Sequence, residues 1–267
     1  MKKTLLCLFT AVAALSAAGK NTLLLNMESR EAIAAKNARF HGGAFADGAP
    51  IGNSVTNGNR AFVGGGHAAL LLAARYPELW TAVSAWCPIS DIAAWHKQCQ
   101  DRALRYAKDI EQICGGDPQI AAFALQEAKK RSPQTCLSNA ANKCLIDINT
   151  GIHDGHTGSV PVSQALNAFN LLASPEDRIS IEDIEYMTRL EKIPEHLVFN
   201  GTDPAYGNYK VLMRRISGMV RITLFEGSHD ILPGAGLAWC ANQSRGTKPI
   251  WNSGMIFDDG TENTLNK

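Results

Sequence analysis

Charge is scarce in this chain and nearly cancels. Charged residues make up 19% of it and the formal net charge is +1. No dense run of Lys or Arg exists to grip phosphates, so neither nucleic acid nor an anionic lipid surface is expected as a partner. Aromatic residues are also few, at 7%. Trp80, Trp86, Trp95, Trp239 and Trp251 stand beside helix- and strand-like runs, which suits core positions better than the stacking platform of a carbohydrate-binding or adhesion module. Beyond the N-terminus no stretch is long and apolar enough to anchor the chain in a bilayer. Cysteines lack zinc-ligand spacing, and neither a metal nor a cofactor is expected. What the chain does have is 45% hydrophobic residues over 267 positions, enough for one large domain with a substantial core.

Residues 1–18, MKKTLLCLFTAVAALSAA, combine two lysines, a short apolar stretch and small residues. This is the layout of a secretory signal peptide, with a buried N-terminal helix as the alternative. An exported protein, periplasmic or secreted, is therefore expected. In such a compartment disulfides persist. Cys87, Cys99, Cys114, Cys136, Cys144 and Cys240 form an even set, compatible with about fifteen full pairings. Cys99 with Cys114 and Cys136 with Cys144 would close short loops, and buried free thiols are the other outcome.

Hydrophobic patterning outlines the rest. Residues 19–60 are poorly defined, with one strand-like run (NTLLLNM) and a Gly-rich loop. HAALLLAARYPELW predicts a helix that stops at Pro77. TAVSAWCPISD and CLIDINTG are β-rich and apolar enough for buried parallel strands. Between them, residues 92–143 form a mostly polar, helical insertion broken by the turn signal GGDP. SVPVSQALNAFNLLA predicts a helix, EHLVFNG and VRITLFEG two further strands, and GLAWCANQ a last helix. Strands alternating with helices imply an α/β domain over residues 61–246, a mostly parallel sheet with helices on both faces, incomplete on its N-terminal side. Residues 247–267 are polar and predicted to be a loose tail.

In such sheets chemistry gathers in loops at the carboxyl ends of strands. The suspicious loops are GGGH, TGIHDGHTGSVP and EGSHD. Together with GGGHAALLLAARYPELW, AVSAWCPISDIAAWH, RSP, GIHDGHTGSVPVSQALNAFN and RITLFEGSHD, they make the chain resemble the α/β-hydrolase superfamily, in particular secreted bacterial proteins similar to the prolyl oligopeptidase catalytic domain. The resemblance runs from about Val63 to Trp239, most of the chain after the leader. It implies a serine hydrolase acting on an ester or peptide bond of a small-molecule substrate. Asp154 matches the acid and His229 the base, in the family's order of nucleophile, acid, base. The insertion would lie over the site.

The nucleophile position departs from the pattern. Aligned on GGGH, the family's elbow G-x-S-G-G-G-H becomes Ala61-Phe62-Val63-Gly64-Gly65-Gly66-His67. Val63 can neither attack nor give a proton, although the turn-forming Gly64 and Gly65 stay, and the Gly64 amide could serve an oxyanion hole. FHGGAF is similar to an esterase oxyanion motif but stands too near the elbow. Two outcomes are expected: a hydrolase family member of doubtful activity, or a non-catalytic hydrolase-like binding protein, a pseudoenzyme. Other assignments compete. Asp154 could only shape an Asx turn, Asp203 in FNGTDPAYG is a rival acid, and His229 could merely cap a loop. His153 and His156 suggest a metal pair without an evident third ligand. Ser54 belongs to a loop by its turn-forming neighbours, and Ser159 has no geometric claim as a substitute nucleophile. Self-association is left open by the thin N-terminal half.

Overall fold

The structure is a computed structural model that describes residues 43–44, 50–51, 53–55, 61–251 and 256–257. The leader-like residues 1–18, the NTLLLNM run and most of FHGGAF lie outside the described residues. Within the described part, short strands β1 (Gly43–Ala44) and β2 (Pro50–Ile51) pair with each other, as do β7 (Gly201–Thr202) and β10 (Ile256–Phe257). The main sheet is built from β3 (Asn53–Val55), β4 (Ala61–Gly65), β5 (Ala82–Trp86), β6 (Leu145–Gly151), β8 (Val211–Ser217) and β9 (Val220–Phe225). Its order is β3-β4-β5-β6-β9-β8, with β4, β5, β6 and β9 mutually parallel and both edges antiparallel. The sheet is thus mixed, with a parallel centre.

Local chemistry sets the helix boundaries. Helix α1 (Gly66–Arg75) ends at Tyr76, which adopts φ −139° ahead of Pro77, because a residue before proline is driven out of the helical region. Helix α2 (Ile92–Asp101) starts where the Asp91 carboxylate accepts hydrogen bonds from the amides of Ala93 and Ala94, at 2.9 and 3.1 Å. Helix α3 (Tyr106–Cys114) stops at Gly115, at φ +78°, the left-handed stop that glycine adopts without strain. Helix α4 (Ala122–Arg131) completes the predicted insertion. Helices α5 (Val162–Leu172) and α6 (Ile181–Leu190) follow β6, and α7 (Pro233–Ala241) follows β9.

Alternation along the strands sends side chains to two cores. Val83, Ala85, Ile146, Ile148, Ile222 and Leu224 pack with Leu70 of α1 and Leu166 and Phe169 of α5. Ala82, Trp86, Leu145 and Phe225 face the other way, onto Ala235, Trp239 and Cys240 of α7. Helices therefore cover both faces. The insertion has its own cluster, with Trp95, Cys99, Ile110, Cys114 and Ala128.

Three expectations need correction. EHLVFNG does not join the main sheet as a strand: Pro194 precedes a helical turn at Glu195–Leu197, Val198 makes an isolated bridge to Met213, and Gly201 opens the two-residue strand β7. The place beside β6 is taken by β9, whose hairpin partner β8, unforeseen in VLMRRIS, turns through Gly218 at φ +54°. The tail is anchored at its start, since Trp251 is buried and stacks on Trp239 with ring centres 5.6 Å apart. Among the described residues Cys87, Cys99, Cys114, Cys136, Cys144 and Cys240 are free thiols rather than disulfides. Cys99 and Cys114 share the insertion core instead, and burial pushes the Cys99 thiol up to about 11 and Cys144 up to about 12. Among the described residues no helix is long and apolar enough to cross a membrane.

A polar ladder crosses the α7 face. Register places Ser84, Asp147 and Arg221 side by side on three adjacent strands. The Ser84 hydroxyl donates to Asp147 Oδ2 at 2.8 Å, and Arg221 Nε donates to Oδ1 at 2.8 Å. Arg221 also donates to the Trp251 carbonyl and lies over the Trp239 and Trp251 rings, which ties the tail to the sheet. A buried ion pair adds little over apolar packing, but stripping one partner leaves a naked buried charge. Arg221→Met should therefore cost about 3–5 kcal/mol of unfolding free energy in urea denaturation. A loss below about 1 kcal/mol would mean that Asp147 does not depend on this partner.

Candidate functional site: the carboxyl ends of β5, β6 and β9

Strands β6 and β9 are parallel neighbours with Gly151 opposite Phe225, so the loops that leave them run side by side. Backbone bonds tie them: the Ile152 amide donates to the Phe225 carbonyl at 2.9 Å and the His153 amide to that of Gly227 at 3.0 Å. A Cβ on Gly151 would stand 2.2 Å from the Ser228 carbonyl oxygen. Only glycine permits this approach.

The approach brings Asp154 against His229. Asp154 is 1% exposed; its Oδ1 accepts the Val160 amide at 3.0 Å and its Oδ2 meets His229 Nδ1 at 2.7 Å. The predicted acid and base are thus in contact. An Nδ1–H donating to the carboxylate leaves Nε2 as the basic nitrogen. Burial pulls the His229 imidazole down, but the hydrogen bond and charge of Asp154, aided by Asp230, outweigh it and hold it above the ordinary histidine value. Gly158 makes room for the pair, because a Cβ there would lie 2.2 Å from Asp154 Oδ1 and 2.9 Å from His229 Cβ. Gly155 turns the loop at φ +96° against Pro161. One carboxylate oxygen of Asp154 ties the loop to Val160, six residues on rather than in an Asx turn, and the other holds the imidazole.

Comparison of the chain with family models, curated proteins and solved structures finds no match.

The insertion reaches the acid loop, as expected of a segment over the site. Trp95 Nε1 donates to the Ser159 carbonyl at 2.9 Å, and Arg102 donates to the carbonyls of Gly158 and His156 at 3.0 and 2.9 Å. His153 and His156, the suggested metal pair, both engage protein groups and share Glu191, which lies 3.4 Å from His156 Nδ1. His153 lies between Glu191 at 2.7 Å and Glu226 at 2.5 Å, whereas His156 Nε2 donates to the Thr188 carbonyl at 2.8 Å. Asp203, the rival acid, pairs with Arg214 at 2.9 Å and caps the Ala205 amide at 3.0 Å. Its second role as a turn former leaves it committed away from His229.

The nucleophile region differs from the expected elbow. Strand β4 runs through Gly65, and α1 begins at Gly66. The strand–helix junction thus falls beyond Val63, which sits inside the strand in register with Ser84 on one side and Ser54 on the other. Ser54 is a strand residue, not a loop residue. Gly64 and Gly65 continue the sheet opposite Ala85 and Trp86. The glycine that the junction requires is Gly66, where a Cβ would come 2.3 Å from the Trp86 carbonyl oxygen. His67 turns away from the dyad: its Nε2 donates to the Arg131 carbonyl at 2.7 Å, and burial holds it below the ordinary histidine value against that bond's pull.

One residue of the site was missed by sequence reasoning. Cys87 follows β5 at φ +46°, a left-handed conformation uncommon outside glycine. It is 4% exposed, and one ligand atom each of Cys87, Asp154 and His229 lie within 4.8 Å of one another. Burial, followed by the Asp154 charge, pushes its thiol well up. The available signal was its place at the carboxyl end of a buried strand, directly before Pro88.

Two predictions follow from this geometry. Gly158→Ala should displace the Asp154 carboxylate and cost about 1–3 kcal/mol of stability. The His229 pKa, followed by NMR, should fall back toward about 6.5; an unchanged titration would show that the contact does not need Gly158. The second concerns His153, whose hydrogen bonds to Glu226 and Glu191, set against burial, hold it above the ordinary value. A raised folded-state pKa stabilises fully below about 6.5 and is lost as pH rises through the folded value. Thermal melts of the parent and His153→Gln should therefore diverge below that window and converge above it. Parallel curves across the range would mean that His153 makes no proton-linked contribution to stability.

Proposed function

We propose that this chain is an α/β-hydrolase-like protein of the prolyl oligopeptidase type, with Asp154 as acid and His229 as base of a site for ester or peptide bonds. The observation that carries the proposal is the 2.7 Å contact between Asp154 Oδ2 and His229 Nδ1, made by loops that leave neighbouring parallel strands. Chain order supports it as well: a glycine-lined strand–helix junction, then the acid after β6, then the base after β9. The leader-like residues 1–18 support an exported protein.

In this reading Asp154 fixes the imidazole tautomer and stabilises its charged form, and Nε2 takes a proton from the attacking O–H group. No serine stands at position 63, so water is the attacking group. It loses its proton to Nε2 as its oxygen adds to the carbonyl, and the same proton passes to the departing alkoxide or amine. Such general-base help is worth roughly 10²-fold to 10⁴-fold, far below what a covalent triad achieves. The strand-embedded Val63 favours a second reading, in which the chain binds its ligand and turns over none of it.

The test is turnover of a p-nitrophenyl ester by the full chain, with fluorophosphonate labelling alongside. Slow hydrolysis is expected to fall at least about 10-fold in His229→Gln and in Asp154→Asn. Equal rates in the parent and both variants would overturn the acid–base assignment. Fluorophosphonate should label nothing, and Val63→Ser should restore little activity, because position 63 precedes the junction by more than one residue. Strong labelling or a large gain from that single change would overturn the serine-free mechanism.

A further inference from the structure

We propose that Cys87, Asp154 and His229 form a three-ligand site for a thiophilic divalent cation of the zinc class. These are a thiol, a carboxylate and an imidazole, the donors that such an ion prefers. They come from the ends of three adjacent parallel strands, β5, β6 and β9, and their ligand atoms lie within 4.8 Å of one another. Tetrahedral zinc with bonds of about 2.0–2.3 Å needs its ligand atoms about 3.3–3.8 Å apart. Ligation would require side-chain rotations that close this difference and open the 2.7 Å contact between Asp154 Oδ2 and His229 Nδ1. This is why no zinc-like spacing is visible along the chain: each ligand belongs to a different loop.

Several features suit a metal better than a resting thiol. Cys87 is held in a left-handed backbone conformation that costs energy at a non-glycine residue. Its amide donates to the Asn149 carbonyl at 2.7 Å, which fixes the thiol's origin against β6. Cys87 and Asp154 are 4% and 1% exposed, whereas the His229 side chain is 44% exposed. The closed side of the site is thus anionic or thiol, and the open side gives an ion its route in. Binding balances simply: the cation displaces the Cys87 S–H proton to solvent, and the neutral His229 moves its ring proton from Nδ1 to Nε2 so that Nδ1 can ligate. A three-ligand ion keeps a fourth position for water.

The rival cluster, His96 with Glu111 and Asp117, also brings its ligand atoms within 4.8 Å of one another but offers no thiol. Glu111 lies 3.1 Å from His96 Nε2 and Asp117 lies 3.6 Å from Nδ1. Each ring nitrogen of His96 thus already faces a carboxylate, and the cluster has no sulfur for a thiophilic ion to prefer.

The site shares Asp154 and His229 with the function proposed above but does not rest on it, and the readout is metal binding rather than turnover. Full-length protein, stripped with a chelator, is titrated with Co²⁺ and then Zn²⁺. The expected result is one equivalent bound, with a thiolate-to-cobalt charge-transfer band that Zn²⁺ abolishes. Cys87→Ser should remove the band, and His229→Gln should weaken binding at least about 10-fold. Affinity should rise with pH as the thiol proton is released. No saturable binding, or a band that survives in Cys87→Ser, would overturn the proposal. Ester turnover that depends on His229 in protein that binds no metal would leave the acid–base reading standing alone.

Discussion

A buried carboxylate organises this molecule's functional end. Asp154 is almost fully enclosed, and an enclosed carboxylate is tolerated only when its oxygens are hydrogen-bonded or paired. The Val160 amide satisfies one oxygen and the His229 imidazole the other. Everything around them follows from getting two loops close enough. Gly151 lets the loops touch backbone to backbone, Gly158 leaves room for the carboxylate, and Gly155 supplies the left-handed turn. The glycines are not generic loop punctuation; each answers a particular contact.

The same strand, β6, carries a second buried carboxylate on the face beneath α7. Asp147 is met by Ser84 from β5 and Arg221 from β9. Asn149 adds a bond to Asp147 at 2.7 Å and accepts one from the Tyr206 hydroxyl. Polar groups in such a place specify register: a one-residue slip of β6 would carry Asp147 to the α1 face, among Leu70, Val83 and Ile222. The ladder therefore fixes which residues stand at the strand ends, and through them the alignment of Cys87, Asp154 and His229.

The helical insertion and α6 act on the loop from outside. Arg102 and Trp95 hold its carbonyls from one side, while Glu191 at the end of α6 holds His153 from the other. Glu191 itself takes a left-handed conformation at φ +54° to end its helix. The loop that carries the acid is thus gripped by elements with no part in the chemistry, which keeps the acid and imidazole in register without a ligand.

Much of this was legible in the sequence. The alternation of apolar runs gave a parallel α/β centre, Pro77 and Asp91 marked helix ends, and the order of Asp154 and His229 after buried strands singled them out. Their contact was an expectation that only folding could meet, since it depends on β6 and β9 being neighbours. Sequence reasoning assigned EHLVFNG to the sheet because its apolar content suits a strand; the hairpin of β8 and β9 took that place instead, a choice made by long-range pairing. The junction after β4 moved past Val63 because the close packing of Gly66 on Trp86 decides where the helix can begin. Cys87 joined the site because three parallel strands end together, a proximity that no spacing along the chain encodes. Composition and pattern determined which layers form and which residues are capable of chemistry. The tertiary structure alone decided which of them meet, because strand order and register are set by contacts between residues far apart along the chain.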